Sequence, residues 1–383
     1  MNRNNREKIS IIGPSTRFLS GISYYTIRLC NALSENLDVH AVLFRNMLPK
    51  RLFPGWKRVG TRVVLNGFRD SIHVAEILDW YNPLSWAAAA RIIRNTDTLI
   101  LEWWTSSVVH MYLALLLLCR NRCRFVIEFH EVVDPLESAI LPLRIYTQIA
   151  GRIMRKASSL FIVHSNHDRM LISDHYHISP ERIRVIPHGL YDQYPILEKR
   201  GCQEKLGTGG MFVILFFGLL RPYKGVSCLI RAFESLPEAV WNNSVLLIAG
   251  EAWEDCDSLA LLGSSPAKAN IRHYNEYIAD EEIPLFFSAA DILVLPYTRA
   301  SQSGVAHIGI SYGIPIIASR VGGLVEGLGT YAGTRFISAS DCDELREAIE
   351  AEYSCRPRGR IEPPDDLRWE RIAEKFLLEL DMD

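Results

Sequence analysis

The chain has 383 residues, 48% hydrophobic and 22% charged, a balance that excludes wholesale disorder and a collagen-like fibre. At roughly 150 residues per domain, this length predicts two or three domains that fold without staples. The net charge is −2, yet residues 1–190 hold 24 Lys+Arg against 15 Asp+Glu, and the remainder holds 18 against 29. Either the two halves attract one another, or the basic half meets an anionic partner such as a phosphate, a lipid headgroup or a nucleic acid.

The opening MNRNNREKIS lacks the apolar core of a signal peptide. None of the eight cysteines forms a Cys-x-x-Cys pair, and several, such as Cys30 and Cys119, sit in apolar runs. They read as reduced core residues of a cytoplasmic protein, not as a disulfide frame or a zinc site. The lipophilic run Val108 to Cys119, interrupted by His110, is shorter than the ~20 residues a membrane span needs and predicts a buried helix.

In chain order, Ile9–Ile12 reads as a strand, followed by the loop GPSTRFLSG and a helix from Ile22 to Glu35. Val39–Phe44, Thr98–Leu101, Phe125–Phe129 and Leu160–Val163 are further strands, with helices around 84–94, 107–119 and 140–156. Residues 191–210 lose the periodicity and end in glycines, which predicts a linker between a first domain, 1–190, and a second, 211–362. The rhythm restarts with strands at Phe212–Phe217, Val245–Ala249, Ile292–Leu295 and Ile314–Ala318. Helices are expected near 225–235, 281–289, 303–312 and 341–352, and a last helix follows Pro363 and Pro364 within 363–383. Strands alternating with helices imply parallel sheets covered on both faces, hence two doubly wound α/β domains with a ligand cleft expected between them.

Four segments carry chemistry. FFGLLRPYKG follows a strand and opens a helix: Gly218 and Gly225 admit a close ligand, while Arg221 and Lys224 supply cations suited to a diphosphate. In LPYTRASQSGV, Gln302 or Ser303 would cap a helix and leave the N–H groups of Gly304 and Val305 as a second anion cradle. Ser20-Gly21-Ile22-Ser23 opens the first helix, where Gly21 faces a ligand or merely makes a turn. His130 and Glu131 stand just past a strand end, where active groups collect, and Glu102-Trp-Trp104 ends the preceding strand. Asp255-Cys-Asp257, Asp341-Cys-Asp343 and Asp381-Met-Asp383 do not form a convincing metal set, and no metal is expected. No Gly-x-Gly-x-x-Gly follows Ile12, no Gly-x-Ser-x-Gly elbow occurs, and no Walker-type loop is present.

Taken together, SGISYYT, His130, IPHG at 186–189, FFGLLRPYKG, AGEAWED, FFSAADILVLPY, QSGVAHIGISYGIPIIAS and VGGLVE resemble retaining family-4 glycosyltransferases (glycosyl transferases group 1) nearly end to end. The resemblance implies a GT-B fold of two facing Rossmann-like domains, the second binding a nucleotide-sugar donor and the first an acceptor. It implies that Arg221 and Lys224 bind the donor diphosphate, that His130 lies near the transferred sugar and Gly21 near the phosphates, and that Gln302-Ser303-Gly304 forms the donor-sugar loop. Many such enzymes carry Arg where Leu219 stands, and two Glu where Ala300 and Ile308 stand. This chain resembles a subgroup with RPYKG and QSG instead, in which Glu326 or Glu251 would replace the missing carboxylates.

The function expected is metal-independent, retaining transfer of a sugar to an acceptor hydroxyl in cell-surface glycan or glycoconjugate synthesis, with no cofactor beyond the donor. The alternatives are a degenerate transferase acting as a scaffold, and a nucleotide-sugar epimerase. Arg120, Arg122 and Arg124 after the apolar run would seat the first domain on the inner, anionic face of a membrane, with a lipid-linked glycan as acceptor. A small molecule stays open as the acceptor, and nucleic acid is the least favoured partner.

Overall fold

The computed structural model describes residues 6–17, 21–47, 67–131, 141–253, 255–356 and 359–382. The chain divides into two compact units, Met1–Gly189 with Asp366–Asp383, and Leu190–Asp365.

The first unit is built on strands β1 (Lys8–Pro14), β2 (Asp38–Asn46), β3 (His73–Asp79), β4 (Thr98–Trp103), β5 (Arg124–Phe129), β6 (Leu160–Val163) and β7 (Ile183–Val185). They form one sheet in the order β3-β2-β1-β4-β5-β6-β7, parallel throughout. Its helices are α1 (Gly21–Leu33), α2 (Pro83–Ile93), α3 (Val109–Cys119), α4 (Leu141–Ala157) and α5 (Asn166–Tyr176). Alternate strand residues feed two cores, as the period of two requires. Leu99, Leu101, Trp103, Phe125, Ile127 and Phe129 pack with α2, α3 and α5 on one face. Ile100, Val126 and Ile162 pack with α1 and with the last helix, Trp369–Glu379, on the other. Trp103 is a core residue, and Trp104 packs against the same cluster, so this pair serves packing.

The second unit repeats the plan with β8 (Phe212–Phe217), β9 (Ser244–Ala249), β10 (Ile271–Tyr274), β11 (Ile292–Leu295), β12 (Ile316–Ser319) and β13 (Thr334–Ile337). The sheet order is β10-β9-β8-β11-β12-β13, again all parallel. Its longer helices are α6 (Lys199–Lys205), α7 (Val226–Glu234), α8 (Cys256–Ser264), α9 (Ile283–Ala289), α10 (Gly304–Ser311), α11 (Leu324–Gly329) and α12 (Cys342–Ser354).

Three expectations need correction. The stretch 191–210, read as a linker, lies in the second unit and contains α6, which packs on α9 and is capped by Glu198 through the Arg200 and Gly201 amides. β3, β7, β10 and β13 were not anticipated; they are the outermost strands of the two sheets. The cysteines are not all reduced: Cys228 of α7 and Cys342 of α12 are joined by a disulfide, with Cα atoms 5.3 Å apart. Cys30, Cys119, Cys123, Cys202, Cys256 and Cys355 remain free.

Candidate functional site

In the second unit the strand order reverses between β8 and β11, and ligands of such sheets bind beyond the carboxyl ends of the strands at that switch. The loop after β8 is Gly218 to Gly225. Gly218 and Gly250 both take positive φ, 109° and 149°. A Cβ on Gly250 would lie 2.0 Å from the Gly218 carbonyl oxygen, so the ends of β8 and β9 meet backbone to backbone. Leu220 forms a parallel bridge with Ala252, and the Trp253 amide donates to the Leu220 carbonyl at 2.8 Å. Trp253 thereby stands under Arg221, whose guanidinium carbon is 5.2 Å from the ring centroid.

The same loop is tied to the end of β11. The Thr298 amide donates to the Tyr223 carbonyl at 2.8 Å, and a Cβ on Gly225 would lie 1.9 Å from the Pro296 carbonyl oxygen. Lys224 Nζ sits 3.8 Å above the buried Tyr297 ring, and Arg299 covers Tyr223 at 5.0 Å. Aromatic faces thus hold these cations by cation–π attraction. Among the described residues, no carboxylate pairs with Arg221, Lys224 or Arg299. Cations left unneutralised at a strand end suit an anionic ligand.

Ser303 is the N-cap of α10: its side chain accepts from the Ala306 amide. The amides of Gly304 and Val305 find no partner among the described residues and form the helix N-terminus. Val305 and Gly218 are neighbours, since a Cβ on Gly218 would lie 3.6 Å from Val305 Cγ2. The two cradles inferred from sequence therefore form one region. Gln302 is half-buried, and its Nε2 is buried without a hydrogen-bond partner. Gln302 Oε1 and His307 Nε2 both face Gly327 of α11, and the Gly323 amide donates to the Ala300 carbonyl. The VGGLVE segment therefore adjoins the loop 300–305. Glu326 lies exposed in the first turn of α11, and Ile308, where the family pattern has a carboxylate, is buried. Asp255 and Asp341 are helix N-caps, to the Ser258 and Glu344 amides, and Asp255 also accepts from the Ser258 hydroxyl. A cavity of about 260 Å³ beside Phe212, Asp291, Ile292 and Pro315 lies at the opposite, N-terminal ends of the strands.

The first unit builds a different kind of site. Glu102 and Glu128 are register partners on β4 and β5 and are fully buried. They continue the strand face of Ile100 and Val126, as His164 continues that of Ile162. Tyr25 of α1 donates to Glu128 Oε1 at 2.5 Å, and Thr26 donates to Glu102 Oε2 at 2.6 Å. Gly13, at the end of β1, leaves room for this pair: a Cβ there would lie 2.4 Å from Glu102 Oε2. The Tyr25 ring touches those of His130 and His188 at 4.6 Å and that of His164 at 5.4 Å. His164 Nδ1 is 3.0 Å from the Ile186 carbonyl, and the buried His130 Nε2 has no hydrogen-bond partner.

Burial sets the protonation of this cluster. It pushes the Glu128 carboxyl up to about 8 against the opposing hydrogen bond from Tyr25. It raises Glu102 as well, and the neighbouring Glu128 charge adds to that rise. It lowers His164 to about 4 and lowers His130, which His164 depresses further. Burial therefore favours the neutral form of each of these four groups.

Glu128, His130 and His164 offer atoms within 4.8 Å of one another, as do Asp38, His40 and His73. Ligands about 2.1 Å from a zinc ion lie roughly 3.4 Å apart. Glu128 Oε1 and His164 Nε2 are 3.9 Å apart, so this set would have to contract around an ion.

Of the residues predicted from sequence, the structure brings Arg221, Lys224, Gly218, Ser303, Gly304 and Val305 together in the second unit, with Gln302 and Glu326 at its border. It places His130 in the first. Gly21 begins α1, four residues before Tyr25; Ser20 lies outside the described residues. Sequence reasoning gave no individual role to Tyr25, Glu128, His164 and His188 in the first unit, or to Trp253, Tyr297 and Arg299 in the second, although most of them fall inside the motifs it singled out. Carboxylates in otherwise apolar strands, in phase with core positions, were a usable signal for Glu102 and Glu128.

Residues 19–193 match the family described as Glycosyltransferase Family 4, and residues 211–354 match Glycosyl transferases group 1. The two halves of the chain are thus each similar to a glycosyltransferase domain. It is 28% identical over 190 residues to the D-inositol 3-phosphate glycosyltransferase of Kineococcus radiotolerans, covering 46% of this chain and 44% of that one. It is 24% identical over 187 residues to the lipopolysaccharide glucosyltransferase WaaG of Escherichia coli, covering 46% and 48%. The chain spans about half the length of the curated relatives it matches. Among solved structures it is similar to Anabaena Alr3699/HepE in complex with UDP, with a TM-score of 0.65 at 16% identity over 98% of this chain and 95% of that one. WaaG, a glycosyltransferase involved in lipopolysaccharide biosynthesis, gives 0.59 at 15% identity over 98% and 95%. These likenesses show the fold: two Rossmann-like domains of the GT-B architecture.

Proposed function

We propose that this glycosyltransferase-family chain transfers a glycosyl group from a nucleotide-diphosphate sugar to an acceptor hydroxyl, with retention and without a metal at the diphosphate, in glycan or glycoconjugate synthesis. The observation that carries this reading is the pair Arg221 and Lys224, held on Trp253 and Tyr297 at the switch point of the second sheet with no carboxylate neutralising them. Neighbours solved with UDP and UDP-glucose support a nucleotide sugar as the donor class.

The chemical barrier is departure of the diphosphate while positive charge builds on the sugar. Arg221, Lys224 and the Gly304 and Val305 amides would stabilise the leaving oxygens, which is electrostatic stabilisation by fixed donors. The departing phosphate would help to deprotonate the acceptor hydroxyl on the same face, giving retention. Gln302 and Glu326 would contact sugar or ribose hydroxyls in place of the absent carboxylates at Ala300 and Ile308. On this reading the first domain binds the acceptor, His130 serves the transferred sugar as a neutral imidazole, and Gly21 serves the phosphates.

Removal of one such donor costs about 10²–10³ in rate. Arg221→Ala is expected to lose turnover in that range and to abolish the thermal stabilisation that a nucleoside diphosphate gives the wild type, about 2.7 kcal/mol at a hundredfold excess over Kd. Unchanged turnover would remove Arg221 from the mechanism. A second reading, a catalytically degenerate scaffold, draws on Ala300 and Ile308 alone. It predicts no stabilisation by any nucleotide and tolerance of charge loss at Arg221 and Lys224.

A further inference from the structure

On the face of the first sheet that carries α2 and α3, the in-phase residues Ile12 of β1 and Val42 and Phe44 of β2 are buried in the core. Towards the amino ends of the same strands the chemistry changes. β2 offers His40 and then Asp38, and β1 offers Ser10 and then Lys8. Side chains two residues apart on a strand share a face, so Asp38 and His40 continue the row of Val42. β3, the outermost strand, adds a third group: its first residue, His73, is the register partner of His40.

The three side chains converge. The His40 and His73 rings lie 4.7 Å apart. Asp38 Oδ1 is 3.7 Å from His40 Nε2 and 4.0 Å from His73 Nε2, so one oxygen faces two ring nitrogens. Both distances are too long for a hydrogen bond, and the buried His40 Nε2 has no hydrogen-bond partner. The other carboxylate oxygen, Oδ2, is 3.9 Å from Lys8 Nζ. The carboxylate thus divides its oxygens, one towards a cation and one towards the imidazoles.

We propose that Asp38, His40 and His73 bind a divalent transition-metal ion of the zinc class, which clips the edge strand β3 to β2. Two imidazoles and a carboxylate are a ligand set such an ion takes. Their ligand atoms lie within 4.8 Å of one another and would draw in to roughly 3.4 Å around a tetrahedral ion. That movement falls to His73, whose side chain is 70% exposed. Water reaches the site there and supplies the remaining ligand. Glu128 and His164, by contrast, are fixed in the core and have no such freedom. Lys8 opposes a cation beside Asp38 and holds the affinity down. β3 pairs with β2 alone, and residues 47–72 separate the two strands in sequence. A metal clip that closes a long connection of this kind restrains the chain most. The set lies at the strand ends opposite Glu102, Glu128 and His130, so it is independent of the chemistry proposed above. Asp38-x-His40 is visible in the sequence, but β3 was not anticipated, and His73 joins the pair only in the structure.

The test is titration of the metal-free full chain with Zn²⁺, read by calorimetry, and with Co²⁺, read by visible absorption. All variants are made in a Cys256→Ser, Cys355→Ser background, which removes the exposed thiols. A single Zn²⁺ site of micromolar affinity is expected, with slower amide exchange in β2 and β3 when it is filled. His73→Gln and Asp38→Asn are each expected to weaken Zn²⁺ by at least the roughly 10–100-fold that loss of even an outer-sphere partner costs. Lys8→Gln is expected to tighten it. His73→Gln is expected to melt with the wild type in the absence of metal, which shows that it is folded. His73→Cys is expected to restore binding and to add thiolate-to-cobalt charge-transfer absorption. Absence of Zn²⁺ binding at micromolar concentration in the wild type, or equal binding by the wild type and His73→Gln, overturns the inference. Metal binding is read without any nucleotide, so its failure and a failure of the proposed chemistry are told apart.

Discussion

The two domains share a topology and solve opposite electrostatic problems at the carboxyl ends of their strands. In the second, the work falls to backbone and to cations: glycines at 218, 225 and 250 bring chain against chain, and Arg221 and Lys224 stand on aromatic rings with their charge unspent. In the first, it falls to buried side chains that cancel one another's need for solvent, with Tyr25 and Thr26 serving Glu128 and Glu102. One end is built to attract charge and the other to suppress it. A parallel sheet thus fixes where a site can form, while the residues that continue the strand alternation decide its sign.

The sharpest way to break this contrast is at the glycines. Gly250→Ala places a Cβ 2.0 Å from a carbonyl oxygen at φ 149°, and neither backbone can yield cheaply. It is expected to cost about 2–4 kcal/mol in chemical denaturation and to eliminate nucleotide stabilisation. A variant with wild-type stability would mean that the second site does not depend on backbone approach.

A comparable effect tests the covalent tie that only the second domain has. The Cys228–Cys342 bond closes 114 residues of sequence separation between α7 and α12. Cys228→Ser, or reduction, is expected to cost about 2–4 kcal/mol and to leave the melting of the first domain unchanged. Thiol titration of the native protein that counts eight free cysteines would show the bond unformed.

The smallest effect is a change of slope with pH. The Glu102 and Glu128 carboxyls are raised above their ordinary value of 4.5, Glu128 to about 8, so in that window the folded state holds more protons than the unfolded one. Their contribution is complete below the ordinary value and is lost as pH rises towards 8. His164, lowered from 6.5 to about 4, acts the other way only below 6.5, where stability is lost as pH falls. Stability of the first domain is therefore expected to decline from pH 6.5 to 8. Glu102→Gln should flatten that limb, read as Tm against pH. A limb of unchanged steepness would show that the pair does not titrate as a neutral cluster.

Much of the architecture was legible because central parallel strands, buried on both faces, are unbroken apolar runs such as Phe212–Phe217 and Val245–Ala249. The outer strands were not. Ile271–Tyr274 reads IRHY and is only half-buried along its length, and Thr334–Ile337 reads TRFI with Arg335 exposed. Neither carries a clean period. The loops after β8 and β11 were legible because glycine and cation spacing is local in sequence. The buried cluster offered a signal only at Glu102 and Glu128, because it assembles from α1, β4, β5 and the ends of β6 and β7, and its tyrosine and histidines each read on their own as ordinary core polar groups. The disulfide was invisible for the same reason: no local spacing announces a pair so far apart.

The last helix carries a consequence for synthesis. Trp369 packs so closely on Gly189 that a Cβ there would lie 2.6 Å from the indole, and its ring meets Tyr25 at 5.4 Å. Ile372, Ala373 and Phe376 complete the core over α1. The domain begun first on the ribosome is therefore closed last. Its α1 face waits, uncovered, while the second domain is translated and emerges, so the nascent chain must keep an apolar surface from wrong partners through the translation of nearly two hundred residues, roughly 10–40 s at 5–20 residues per second.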